Sequence, residues 1–335
     1  MTCDFLMTRR QALAGLGACL AAPAIAATDR LAPALEKARG FGRVRGFLVL
    51  KEGERLAAER MSGPALDRPV NIKSVSKTIV ASLTGAAIDR GVLPSSATTI
   101  GEAAPALLPR GADPRVAGIT VEDLVTLRAG LERTSGANYG AWVSSGNWVA
   151  DALSRPFVAD PGGRMLYSTG STHVLGAILA EASGRSLLSL ARDWLGDPLG
   201  IEVPAWTRDP QGYYLGGNEM ALSVEGMGRF GEMIRQGGIW QGERVLSEEW
   251  IEQSFVPRTR SPWSGLAYGY GWFLGRAGGA SYALARGFGG QVIAVSPQLG
   301  VTVVITSDPT QPARSNGYFG ELQDLIERDV FGALS

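Results

Sequence analysis

Runs that read as β-strand lie at the two ends of this chain and leave its middle to helices, and that division constrains the fold more than any single residue. Near the start, Gly46-Phe47-Leu48-Val49-Leu50 and Glu54-Arg55-Leu56-Ala57-Ala58-Glu59 flank a Glu52-Gly53 turn, the pattern of a β-hairpin. Strand character returns only late, in β-branched or aromatic runs at 268–274, 291–295 and 301–306. Between them, 121–127, 149–153, 174–182 and 223–234 space their apolar residues by three and four, as helices do, and a last helix carries Leu322, Leu325, Ile326 and Val330. The expected fold is α+β: an antiparallel sheet flanked by helices (about 40–90 and 250–335) with an inserted, mostly helical part (about 91–249) and a cleft between them. No internal repeat or low-complexity linker interrupts residues 28–335.

Lysine usage is the second constraint. Of 32 basic side chains only four are lysines, and none follows Lys77. Arginine stays protonated at any accessible pH, whereas a desolvated lysine can lose its proton and act as a base. Three residues before Lys77 stands Ser74, at the first turn of a helix whose apolar positions run Ile79, Leu83, Ala87 and Ile88 and which Gly91 is placed to end. Positions i and i+3 share a helix face, so the Ser74 hydroxyl and the Lys77 amine can meet as nucleophile and base. A serine three before a lysine is expected about once by chance in a chain of this size. The pair alone decides nothing.

Residues 1–27 read as an export signal: Thr8-Arg9-Arg10, an uncharged stretch from Ala12 to Ala22, then Ala24-Ile25-Ala26 as a small-residue cleavage site. The paired arginines point to the twin-arginine route and to a periplasmic or secreted protein, while Leu16-Gly17-Ala18-Cys19 loosely resembles a lipoprotein cleavage box. The stretch is too short and too rich in alanine and glycine for a spanning helix, so no stable membrane span is expected after cleavage. Cleavage removes Cys3 and Cys19, leaving no thiol for a disulfide, a nucleophile or a thiolate metal site. It also leaves 30 basic and 31 acidic side chains with no basic run, which speaks against a nucleic-acid partner. With His173 the one histidine, a zinc site with two imidazoles is excluded. No metal or other cofactor is expected.

Two further motifs follow in order. Pro161-Gly162-Gly163-Arg164-Met165-Leu166-Tyr167-Ser168-Thr169-Gly170 leads into a helix, and a tyrosine hydroxyl near a lysine can relay protons. Arg286-Gly287-Phe288-Gly289-Gly290-Gln291 opens the strand at 292–295, where glycines let backbone N–H groups approach a substrate, although such glycines also make plain tight turns. A histidine-based hydrolase would need Gly-x-Ser-x-Gly, and the nearest sequence is Gly184-Arg185-Ser186-Leu187-Leu188. A two-carboxylate glycosidase is not excluded by spacing.

In this order Ser74-Val75-Ser76-Lys77, Tyr167-Ser168-Thr169 and Gly287-Phe288-Gly289-Gly290-Gln291 resemble the motifs of serine hydrolases related to class C β-lactamases, D-alanyl-D-alanine carboxypeptidases, family VIII esterases and 6-aminohexanoate-dimer hydrolase. The likeness spans roughly residues 40 to 310 and takes in 119–131, Met227-Gly228-Arg229-Phe230-Gly231 and Tyr268-Gly269-Tyr270-Gly271-Trp272. It implies a β-lactamase/transpeptidase-like fold and an acyl-enzyme on Ser74, with Lys77 and Tyr167 sharing the proton work. The resemblance also implies an oxyanion hole formed by the backbone N–H of Ser74 and one after Gly287, that of Phe288 or, with the motif aligned one or two residues later, of Gly289 or Gly290. The expected substrate is a small ester or amide; a β-lactamase, a carboxypeptidase or a penicillin-binding sensor without turnover are the alternatives. Thr169 stands where β-lactamases and carboxypeptidases have asparagine, and Ala285-Arg286-Gly287 stands for lysine or histidine, threonine and glycine. Those departures argue against penicillin as the natural substrate. Tyr139, Trp148, Thr169, Arg286, Gly287 and Gly289 are the candidate substrate contacts.

Overall fold

The structure, a computed structural model, describes residues 29–335, so the expected export signal and both cysteines lie outside the described residues. Its centre is an eight-stranded sheet of β1 (Val44–Lys51), β2 (Glu54–Arg60), β3 (Thr259–Arg260), β4 (Ala267–Tyr268), β5 (Phe273–Ala277), β6 (Ala280–Gly287), β7 (Gln291–Ser296) and β8 (Val301–Ser307). The spatial order is β2-β1-β8-β7-β6-β5-β4-β3, and every registered pair is antiparallel. The hairpin from the start of the chain thus closes the sheet through β1 against the last strand, Val49 lying opposite Val303. Glu52 and Gly53, both at positive φ, form the tight turn between β1 and β2.

Alternation along the strands sends side chains to two different cores. Phe47, Val49, Leu284, Val292, Ala294, Val303 and Ile305 face a cluster built with helix α1 (29–40) and the C-terminal helix. Leu48, Ala283, Ala285, Ile293, Val295 and Val304 face the larger cluster under the helical part. With both faces covered, the central strands read as continuous apolar runs, which is why 291–295 and 301–306 were legible.

Three helices set the site: α2 (Ser76–Asp89), α3 (Thr169–Ser183) and α4 (Val224–Arg235). Every residue of α2 from Ser76 through Ala87 is buried, and it ends as its sequence predicts, with Gly91 left-handed and the N–H groups of Gly91 and Val92 returning to Ile88 and Ala87. The glycines of α4 let it lie directly on the sheet: a Cβ on Gly228 would stand 2.5 Å from Leu48, and one on Gly231 would stand 2.7 Å from Thr302. The expected helix at 121–127 stops at Val125, behind a Thr120–Asp123 capping box.

Two strand readings change. The 268–274 run is not one strand: β4 ends at Tyr268, β5 begins at Phe273, and between them the Gly271 carbonyl accepts the Thr78 hydroxyl at 2.7 Å, folding the turn onto α2. Gly287 does not open a strand either; it ends β6, and Gly289 and Gly290 at φ +84° and +100° carry the chain round into β7. β6 escaped notice because Ala280, Ser281, Ala283 and Ala285 lack β-branching. Small side chains are what fits there, since Ala283 and Ala285 pack into the core that also holds α2.

Candidate active site

Ser74 lies in a short tight turn, Lys73–Val75, that runs straight into α2. Its neighbour Lys73 has φ +52°, a left-handed conformation that costs a lysine about 1 kcal/mol or more. Four contacts hold it there. The Lys73 N–H donates to Asn71 Oδ1 at 2.9 Å, the Ser76 hydroxyl donates to the Lys73 carbonyl at 2.5 Å, and Ser76 Oγ accepts the Met220 N–H at 3.2 Å. The fourth is an ion pair from Lys73 Nζ to Glu219 Oε1 at 3.0 Å. Glu219 is itself left-handed at φ +69°, and its other oxygen accepts from Asn71 Nδ2 at 2.5 Å. The Lys73–Val75 turn and the 216–219 segment are thereby locked together, with Val70 and Asn71 paired to Leu222 and Ala221 alongside.

One turn on, Lys77 Nζ donates to Ser74 Oγ at 3.1 Å, to Thr169 Oγ1 at 3.3 Å and to the Gly217 carbonyl at 2.6 Å. Lys77 is 3% exposed, and burial brings its pKa down from the usual 10.5 to about 7. No carboxylate pairs with it among the described residues. Around neutrality a large share of the amine is therefore unprotonated and 3.1 Å from a serine hydroxyl.

Tyr167 faces the same pair, its ring centroid 5.0 Å from Lys77 Nζ. Burial raises the Tyr167 phenol above its ordinary value, while a hydrogen bond with Ser74 and the charge of Arg286 work the other way. Tyr167 precedes α3, whose first two N–H groups are capped from another loop: Thr169 N–H donates to Ser135 Oγ at 2.8 Å and Gly170 N–H to Thr134 Oγ1 at 2.7 Å. Thr169 is thus spent on Ser135 and Lys77.

Gly287 touches the Lys73–Val75 turn. A Cβ there would stand 2.5 Å from the Ile72 carbonyl and 3.1 Å from Lys73 Cβ, so only glycine lets β6 come this close to Ser74. Phe288, next along, is 49% exposed. At Gly289 a Cβ would strike the Asp308 carbonyl at 2.4 Å, so this glycine serves the hairpin. Arg286 stacks on Phe319 at 3.6 Å and donates to Ser315 Oγ at 3.0 Å, with no carboxylate partner among the described residues. Burial lowers its pKa to about 10. Tyr139 is half-buried and its hydroxyl accepts from Asn218 Nδ2 at 3.1 Å, one residue from the carbonyl that holds Lys77. Trp148 lies in an aromatic cluster with Trp142, its indole N–H donated to the Val143 carbonyl at 3.0 Å.

Sequence reasoning passed over Ser135, Gly217, Glu219 and Trp263. The first three act through contacts that no local spacing encodes. Trp263 did leave a signal, a tryptophan in the turn-like Ser261-Pro262-Trp263-Ser264-Gly265; it is 53% exposed, meets Tyr167 edge-on at 6.3 Å and lies under the Arg133 guanidinium at 5.6 Å.

A family model described as Beta-lactamase matches residues 43–324. Solved structures with the same fold include a candidate 6-aminohexanoate-dimer hydrolase from Bacillus anthracis, with TM-score 0.74, 15% identity, and 88% of this chain and 80% of that one covered. EstCE1, described as a hydrolase with promiscuous acyltransferase activity, superposes with TM-score 0.71 at 17% identity, covering 92% of this chain and 100% of its own. An octameric penicillin-binding protein homologue from Pyrococcus abyssi gives TM-score 0.69 at 17% identity over 89% of this chain and 77% of that one. No curated protein matches the sequence.

Proposed function

The chain belongs to the Beta-lactamase family, and from that premise we propose that it is a serine acyl-hydrolase acting on a small ester or amide with an apolar acyl group. The observation that carries this reading is the Lys77 amine, buried with no counter-charge among the described residues and 3.1 Å from Ser74 Oγ. Lys77 takes the hydroxyl proton as Oγ bonds to the substrate carbonyl carbon, and the backbone N–H groups of Ser74 and Phe288 receive the oxyanion. Collapse breaks the bond to the leaving group, which leaves with a proton relayed through Tyr167. Water, giving its proton to the same pair, then cleaves the acyl-enzyme to a carboxylic acid and free Ser74.

Trp263 and Phe288, two exposed aromatics beside Tyr167 and Gly287, support an apolar acyl group. Thr169 bound to Lys77 and Ser135, and Arg286 laid against Phe319, support a substrate other than a β-lactam, because neither side chain is free to stand in for the groups it replaces. Proteins of this fold described as a 6-aminohexanoate-dimer hydrolase and as a hydrolase with promiscuous acyltransferase activity agree with that preference.

The test is to offer purified protein short p-nitrophenyl esters, linear amides, nitrocefin and D-alanyl-D-alanine, with mass spectrometry of Ser74. Ester or amide turnover is expected, with a transient adduct of the acyl mass that Ser74→Ala abolishes. Undiminished hydrolysis by Ser74→Ala refutes the mechanism, and a stable adduct without turnover makes the protein a sensor.

A further inference from the structure

His173 and Asp209 form a pair with no exposed side-chain surface, and the mechanism above uses neither. Nε2 of His173 lies 3.0 Å from Asp209 Oδ2, and the Trp142 and Trp148 rings close over the imidazole with centroids 5.7 Å away. The Gly216 N–H points at the other ring nitrogen, Nδ1, over a long 3.5 Å. The Gly216 N–H facing Nδ1 makes that nitrogen the acceptor and leaves Nε2 to donate toward the carboxylate. Asp209 cannot swing, because Oδ1 accepts the N–H groups of Gln211 at 2.9 Å and Tyr213 at 2.8 Å.

What the pair touches is the wall that holds Lys77. Gly216 and Gly217 have no side chains to anchor them, and two adjacent glycines are the least self-restrained backbone a chain can offer. Both are pressed against α3: a Cβ on Gly216 would stand 2.3 Å from the Thr172 carbonyl, and one on Gly217 2.8 Å from the Thr169 carbonyl. The next carbonyl, that of Gly217, makes the shortest of the three Lys77 contacts, at 2.6 Å. On the far side the segment is pinned by Asn218 to Tyr139 and by Glu219 to Lys73 and Asn71. On the near side the Gly216 N–H is met by His173.

The geometry points to His173 and Asp209 as positioning residues that hold the Gly216–Gly217 backbone so that its carbonyl fixes the Lys77 amine beside Ser74. The inference rests on the reading of Lys77 as base. Groups facing Lys77 are the hydroxyls of Ser74 and Thr169, the Gly217 carbonyl and the Tyr167 ring; the charges beyond them are Arg286, acting on Tyr167, and the Lys73–Glu219 pair. A carbonyl acceptor favours the ammonium, so loosening it lowers the Lys77 pKa and moves the acidic limb of the rate profile to lower pH.

Two substitutions separate positioning from packing. His173→Asn keeps an acceptor near the Nδ1 position and loses the reach to Asp209; His173→Gln keeps that reach and loses the acceptor facing Gly216. Ester-hydrolysis profiles from pH 5 to 10 are measured beside thermal melts. For His173→Gln the expected result is a fall in kcat of about tenfold or more, KM within about threefold and an acidic limb displaced downward, with His173→Asn close to wild type. Equal kcat in the two variants, or a fall in kcat with the limb unmoved, overturns the inference. Should His173→Gln fail to fold, Asp209→Asn serves instead: its oxygen still accepts the Gln211 and Tyr213 N–H groups, so its amide N–H faces His173 Nε2, drives the ring proton to Nδ1 and removes the acceptor facing Gly216, a loss that His173→Asn does not suffer; the limb is expected to move the same way, and an unmoved limb there counts equally against the inference. If Ser74→Ala and Lys77→Arg are inactive while His173→Gln runs at the wild-type rate, this inference fails and the proposed function stands; if Ser74→Ala is active, the function itself fails.

Discussion

Lys77→Met should make the protein more stable at neutral pH while removing its activity, and the gain should reverse in alkali. In the unfolded chain a lysine titrates near 10.4, whereas burial holds Lys77 to about 7 in the fold. Folding at pH 7 therefore drives off a proton that the unfolded chain keeps, at about 1.4 kcal/mol per pH unit of the difference, or about 4 kcal/mol once partial protonation of the folded state is allowed for. Methionine fills similar volume without a charge but leaves Ser74, Thr169 and the Gly217 carbonyl without the amine, a loss of about 2 kcal/mol. The net expectation is about 2 kcal/mol of added stability at pH 7. Because the folded pKa is depressed, the wild-type penalty is full below pH 7, shrinks between 7 and 10.4 and is absent above. The two proteins should be equally stable near pH 9, and the variant the weaker by about 1 to 2 kcal/mol at pH 10. Urea unfolding of both at pH 7 and pH 10 measures the difference. A variant less stable at pH 7, or a difference unchanged between the two pH values, refutes the reasoning that burial depresses the Lys77 amine.

Ester hydrolysis should fall as pH drops through about 7, where Lys77 gains its proton, and a flat kcat/KM profile between pH 5.5 and 8 would contradict its role as base. Gly287→Ala should cut kcat by about a hundredfold or more and cost roughly 1–3 kcal/mol, since the new Cβ meets the Ile72 carbonyl at 2.5 Å and pushes β6 off the nucleophile turn; activity and urea melts near wild type would show that β6 does not need that closeness. Changing Arg9 and Arg10 together to lysine is expected to stop export by the twin-arginine route, and mature protein appearing in the periplasm at wild-type levels would count against that route.

Most of the architecture was legible because it follows from short-range rules. The 46–59 hairpin showed in two apolar runs about a Glu-Gly turn, β7 and β8 in β-branched runs buried on both faces, and α2 in its spacing and its glycine stop. Ser74 with Lys77 was legible for the same reason, one helical turn being a distance that sequence spacing fixes. β6 was not, because its alanines suit a contact with α2 and the Lys73–Val75 turn rather than any preference of their own. Trp148 shows the same limit from the other side: an aromatic in a loop region reads alike whether it lines a cleft or, as here, packs with Trp142 and His173.

By itself the sequence determined the class of fold and marked Ser74, Lys77 and Tyr167 as candidates, readings that depend on neighbours along the chain. Only the tertiary structure decided what state that lysine is in. Its low pKa comes from burial, and its direction from Gly217, Thr169 and the glutamate-locked turn, contacts made across 92 to 146 residues of chain. Desolvation and hydrogen bonding depend on which atoms surround a group in space, and no spacing along the chain records that.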